Sequence, residues 1–428
     1  MSISSLSIFK NKSVTRNTLL GFALLGLLPA IWVTAPILRT KLTPAAQAYP
    51  YQFSPSERTQ ESLTAEIATL HARIRRNPQD GLDLASLAGA YLKLARITGE
   101  DRWYQMAEMS AQQSLENLPF SNNGALVALA KVAEARHDFA EATRLAEQAS
   151  GGEAIAIIVT AHLATGKIIE ANTMADKLVA FSPSMASLTL RALARQAEGD
   201  LTGAQLDFEQ AIAVEQPSEA RGSALARTLL GKLYADQGQY QSAESLYQEA
   251  LAIVPDYPQA LLNLGELEYK QENYRAAQKF YEQVSDPLAL LALAKVKRAQ
   301  GQEEAARIQW AEAEIILRDK VKANPLDHGR ELAELLLERG DDMDRLEAIA
   351  LMEAEVKHRR NAETLNTFAW SLAEAGRWQE ADAIIGEAIA QGIQNAEIFD
   401  RAGRLAQALG ETTQAESYFR QADNLKPE

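Results

Sequence analysis

The chain has 428 residues, 43 of them basic and 57 acidic, a formal net charge of −14 and no cysteine. Without cysteine there are no disulfide staples and no thiolate chemistry. The acidic balance argues against a nucleic-acid surface, because a negative body repels phosphate backbones.

The charge is unevenly placed. Residues 1–48 carry Lys10, Lys12, Arg16, Arg39 and Lys41 and no acidic group, so the remainder holds 38 basic and 57 acidic residues. Between Arg16 and Arg39 run 22 uncharged residues, NTLLGFALLGLLPAIWVTAPIL. At ~1.5 Å per residue, ~20 helical residues cross the ~30 Å hydrocarbon layer, so this stretch is long enough for one membrane-spanning helix. The small excess of basic residues before it favours an amino terminus in the cytoplasm and a membrane-anchored body outside it, in the periplasm or an equivalent space. Ala46-Gln47-Ala48 offers an alternative: a small-x-small site whose cleavage near Ala48 would release a secreted or periplasmic chain. Both readings export the body.

Residues 49–57, YPYQFSPSE, have two prolines and no helical period, and read as an extended linker. Residues 58–80 carry a helical stripe of Leu63, Ile67, Leu70 and Ile74 that stops before Pro78. This predicts a capping helix for whatever follows.

From residue 81 to 428 one pattern recurs. It is clearest in Ala224–Asp256, which reads as two amphipathic helices and a tight turn. The first helix carries Leu230, Gly231 and Tyr234, the turn Gly238, and the second helix Tyr240, Ala243, Tyr247 and Ala250, with Pro255 after it. Gly231 and Ala243 let the backbones approach, and the tyrosines fill the holes beside them. This resembles the tetratricopeptide (TPR) pattern, a helix–turn–helix of about 34 residues. One such pair cannot bury both of its apolar faces and needs neighbours.

The same signature divides the chain into about ten units: 81–120, 123–151, 152–184, 185–217, 224–256, 257–285, 286–320, 325–360, 362–395 and 396–428. A longer turn is expected at Ile97–Asp101, a joining segment at Ser218–Ser223, and a distorted second helix after Asp341–Asp344. Trp310 and Trp378 occupy positions of large core residues, whereas Trp370 leaves the packed stripe toward the inner groove. The expected fold is all-α: an α-solenoid of TPR-like repeats forming a right-handed superhelix over 81–428, preceded by one N-terminal hydrophobic helix.

Sites for chemistry are absent from the sequence. There is no phosphate-binding G-x-x-x-x-G-K-[ST] and no H-E-x-x-H. The histidines, His71, His137, His162, His328 and His358, are far apart in sequence. Glu355 and His358 have metal-ligand spacing, but as a single copy read as a solvated helix face. His137 stands at a turn where other units have Gly and reads as a local cap. No catalytic residue, cofactor or metal is predicted, and the chain reads as a non-enzyme.

The resemblance implies a concave face, lined by the first helix of each pair, that takes an extended peptide or a partner helix. Carried over by position, that face holds Lys131, Lys232, Glu266, Lys295 and Trp370, with Asn263, Lys270, Arg298 and Arg404 beside them. Asn263 corresponds to the TPR asparagine that bonds a peptide backbone, a task suited to an amide, which both donates and accepts. Lys232, Lys295 and Arg298 point to an acidic or carboxylate-ended ligand, although Glu266 interrupts the basic line and the full carboxylate clamp is not reproduced. The expected function is an interaction scaffold of the cell envelope that assists assembly of a membrane complex. The alternative is an accessory subunit of a secretion or polysaccharide-export machine. A protein ligand and a membrane are the expected partners, nucleic acid is not, and the oligomeric state is open.

Overall fold

The computed structural model describes residues 60–324 and 328–426. The expected hydrophobic helix in 1–48 and the linker at 49–57 lie outside them. Among the described residues no helix is long and apolar enough to cross a membrane.

Every regular element among these residues is a helix. A single helix, α1 (Gln60–Arg76), precedes ten consecutive pairs. They are α2 (Gly81–Thr98) with α3 (Asp101–Asn117), α4 (Asn123–Ala135) with α5 (Phe139–Gln148), and α6 (Gly152–Ala164) with α7 (Ile168–Phe181). Then follow α8 (Met185–Glu198) with α9 (Leu201–Ala213), α10 (Ala220–Asp236) with α11 (Tyr240–Ile253), and α12 (Pro258–Lys270) with α13 (Tyr274–Tyr281). The last four are α14 (Pro287–Ala299) with α15 (Glu303–Ala323), α16 (Gly329–Arg339) with α17 (Asp342–Glu355), α18 (Ala362–Glu374) with α19 (Trp378–Ala390), and α20 (Ala396–Ala408) with α21 (Thr412–Leu425).

The pairing follows from side-chain size. A Cβ placed on Gly231 would stand 2.6 Å from the Tyr247 ring, one on Gly265 2.4 Å from Tyr281, and one on Gly403 2.6 Å from Phe419. A glycine on the first helix thus makes room for an aromatic ring on the second. At the equivalent positions Ala192 meets Phe208 within one apolar cluster, and Ala294 and Trp310 share another. In the α6–α7 pair the equivalent positions are Val159 and Ala175, which share a cluster, so the bulk has moved to the first helix. Close packing requires the two volumes to sum, whichever helix supplies them.

Each pair turns through one left-handed residue. Gly supplies it in eight turns, and His137 and Glu272, with φ of 60° and 61°, supply it in the other two. His137 is therefore the turn residue itself and not the expected cap; the cap is Asp138, whose side chain accepts from Glu141 N.

Three local expectations need correction. The extra residues near Ile97–Asp101 do not lengthen the turn but add a turn of helix to α2, which ends at Gly99 in the left-handed conformation. Ser218–Ser223 is not a joining segment beyond its first two residues, because α10 already begins at Ala220. Burial drives this extension: Ser223 and Arg227 are enclosed, and the guanidinium meets Glu215 at 2.6 Å and Glu249 at 3.1 Å. Finally, α17 is a regular helix of 14 residues. Asp342 and Asp344 fall in its first turn, where carboxylates suit the positive end of the helix dipole, and Arg339 holds Asp344 at 2.5 Å.

Trp310 is buried as expected, but Trp378 is 40% exposed. Trp378 is the first residue of α19, and a helical side chain lies over the turn preceding it. That turn includes Gly376, whose missing Cβ would sit 4.0 Å from the indole nitrogen.

Candidate functional site

The first helices of the later pairs carry more charge than their packing requires. Glu266 sits among Lys270, Lys232 and Lys295, which come from three successive first helices, α12, α10 and α14. Burial pushes the Glu266 carboxyl up, but these lysines outweigh it and hold it below the ordinary value. Lys270 Nζ lies 2.9 Å from Glu266 and Lys232 Nζ 3.0 Å from Asp236. Burial pulls the Lys232 ammonium down, and Asp236 and Glu266 reverse this, with Glu363 of α18 contributing from far along the chain. Thus α10, α12, α14 and α18 share one electrostatic environment.

The lattice continues through α16. Glu338 receives both Lys295, at 3.4 Å, and Arg298, whose Nη1 also donates to the Glu338 carbonyl at 3.0 Å. Arg330 reaches Glu363 at 3.2 Å and Glu331 at 3.4 Å. Thr367 donates to Glu334 at 2.9 Å. Burial nonetheless raises the Glu334 carboxyl above its ordinary value, against the pull of Arg330 and Thr367. Burial lowers the Arg401 guanidinium, which stacks 4.9 Å over the Trp370 ring and donates to the Asn366 carbonyl at 3.2 Å.

The residues singled out in the sequence divide accordingly. Lys232, Glu266 and Lys270 come together on the wall of a cavity of ≈ 530 Å³, whose far wall includes Asn395, Glu397 and Lys426. Lys295 and Arg298 join Glu338 instead. Trp370 is half-buried against the core and lies beneath Arg401. Arg404 is exposed and paired with Asp400 at 2.7 Å. Lys131 lies elsewhere, on a separate cavity of ≈ 460 Å³ with Lys93 and Arg96, and pairs with Glu153 at 3.2 Å. Asn263 is buried: its Oδ1 accepts from Gln259 at 3.1 Å, while its Nδ2 is enclosed without a hydrogen-bond acceptor.

Sequence reading missed four members of this lattice, Glu334, Glu338, Glu363 and Arg330. Glu334 and Glu338 stand at the helix positions of Lys232 and Lys270, so the same spacing finds them, whereas Glu363 and Arg330 stand elsewhere on their helices. The isolated Glu355/His358 pair does not remain on a solvated helix face. Glu355 is buried and paired with Arg359 at 3.5 Å, and α17 ends before His358. Among the described residues no group of three or more His, Cys, Asp or Glu is placed to hold a metal ion.

Three tetratricopeptide repeat models match the chain, over residues 189–258, 234–288 and 396–428. Together with the all-helical array of consecutive pairs, these matches support a TPR protein. The comparison with curated proteins gave no match.

Proposed function

We propose that the chain is a non-enzymatic scaffold that holds an extended or helical segment of another protein against the charged face of α10, α12, α14, α16, α18 and α20. TPR repeats suggest protein–protein interaction as the general role. One observation supports this face in particular: ionised side chains from successive first helices line it and a cavity opens on it, although core packing needs none of them. The partner segment would carry both signs of charge, since it meets Lys232, Lys270 and Arg298 interleaved with Glu266, Glu334 and Glu363.

In this reading, residues 1–48 hold the protein at a membrane with the repeats outside the cytoplasm. The support is the uncharged run between Arg16 and Arg39 and the absence of acidic residues around it.

Photo-cross-linking tests the face. A cross-linking side chain at Lys295 or Glu266 should trap a discrete partner from membrane fractions, and one at the exposed outer position Gln248 should not. Lys232→Glu with Lys295→Glu should diminish the trapped product without loss of helix content. Equal trapping from Gln248, or an unchanged yield in the double variant, would remove the assignment.

A further inference from the structure

The early turns of the array touch its late repeats. The Arg360 amide donates to the Ala164 carbonyl at 2.8 Å, although the two residues belong to different ends of the sequence. Beside this contact a Cβ on Gly166 would stand 2.6 Å from the Arg360 carbonyl oxygen. One pair further on, Gly199 and Gly392 meet: a Cβ on Gly199 would lie 2.5 Å from the Gly392 oxygen, and one on Gly392 2.6 Å from the Glu198 oxygen. One pair earlier, the Arg359 guanidinium donates to the His137 ring at 2.9 Å. Three successive turns, α4–α5, α6–α7 and α8–α9, therefore meet the loops that flank α18 and α19.

Turn geometry alone does not explain these glycines. Gly301 and Gly410 turn their pairs with similar positive φ, yet a Cβ on either would meet nothing within 4 Å. The left-handed conformation is common to all the turns; among the described glycines with positive φ, the close approach of a distant backbone belongs to Gly166, Gly199 and Gly392. Contacts between repeats distant in sequence are also unlike the nearest-neighbour interfaces that hold a solenoid together.

We propose that these contacts form a clasp that closes the array on itself and limits entry to the charged inner face. The clasp consists of one backbone hydrogen bond between residues distant in sequence, the Gly199–Gly392 approach and the Arg359–His137 contact. These are few polar contacts on half-buried loops, so the clasp opens at a smaller cost than unpacking a helical pair. Opening would admit a folded or looped segment, whereas the closed array admits one only from an open end. The proposal concerns the array's own conformation and stands whether or not the inner face binds a protein.

The full chain has no cysteine, so a label pair placed at Lys167→Cys and Lys357→Cys reports only the clasp. Both residues are exposed and adjoin the Ala164–Arg360 contact. Electron–electron distance measurement should give one short, narrow distribution for this pair. Adding Gly199→Ala should create a second, longer population; adding Gly301→Ala, which carries the same turn strain and no clasp contact, should not. His137→Gly removes the ring that Arg359 grips while easing the turn, and should lengthen the distance with helix content unchanged, even if Gly199→Ala folds poorly. A long, broad distribution in the parent chain would overturn the clasp. So would equal broadening by Gly199→Ala and Gly301→Ala, or an unmoved distance in His137→Gly.

Discussion

The ring of Tyr247 occupies the space that a side chain on Gly231 would need, with Cε1 2.6 Å from the position of the missing Cβ. The two residues lie on the facing helices of one pair and are effectively a single packing decision. Gly231→Val should cost ~1–3 kcal/mol by overpacking. Tyr247→Ala should cost ~3–5 kcal/mol by leaving a cavity. The double variant reproduces the Val159/Ala175 arrangement of an earlier pair and should cost less than the two together. A urea double-mutant cycle measures the difference, and strict additivity would separate the two residues.

Glu272 turns the α12–α13 pair in a conformation that eight other turns give to Gly. A side chain there costs roughly 1 kcal/mol through crowding of its Cβ against the following carbonyl. Glu272→Gly should therefore raise the melting temperature, the gain reduced by the greater freedom of Gly in the unfolded chain. A lower melting temperature would mean that the Glu272 side chain holds the turn through a contact of its own.

Arg227 is the most enclosed cation among the described ion pairs, at 3% exposure, and Glu215 is nearly as buried. Arg227→Met keeps most of the volume but leaves the Glu215 carboxylate without its guanidinium. The expected loss is ~3–5 kcal/mol, as for a broken buried pair. Replacing both, as Arg227→Met with Glu215→Leu, should recover much of it. Chemical denaturation of the two variants decides whether the pair or the packing holds this part of α10.

Two glutamates should respond to acid in opposite directions. Burial raises the Glu334 carboxyl, so the folded chain binds its proton before the unfolded chain does, and this group adds stability as pH falls through its folded value. Burial also acts upward on Glu314, but Arg339 and Arg318, at 2.6 and 2.8 Å, hold its carboxyl below the ordinary value. Its contribution is present above the unfolded value near 4.5 and is lost as pH falls through the folded one. Glu334→Gln should be neutral to stabilising at pH 7, and Glu314→Gln destabilising at pH 7 and nearly silent at the acid end. Melting temperatures between pH 3 and 7 compare them, and matching profiles would remove the distinction.

The helical pairs were legible because their signal is local. Leu230-Gly231 and Ala243, repeated along the chain, specify which faces meet, and eight of the ten turns announce themselves by a Gly. The failures also have local causes. A helix lengthened by one turn, as in α2, keeps its period and hides the insertion as apparent loop. Trp378 has the size of a core residue, but its place at the head of α19 directs the ring over a glycine turn. The lysines of this charged face were found by position alone; Lys232 and Lys270 pair within their own helices, with Asp236 and Glu266, but Glu338, the partner of Lys295 and Arg298, comes from the next pair, and pairing between helices has no signature in one sequence. The contacts of Gly166 and Gly199 with residues near 360 and 392 were illegible for the same reason: turn glycines look alike whether or not another backbone passes beside them.

The interleaved charges of the inner face set the terms of any recognition there. Lys270, Lys295 and Arg298 already hold carboxylates of their own chain, so an incoming acidic group must displace a resident one and gains only the difference. Such an exchange rewards correct spacing over total charge. Added salt weakens the resident and the visiting pairs alike, so occupancy should vary little with ionic strength. A partner held as proposed would be chosen by the spacing of its charges, not by their sum.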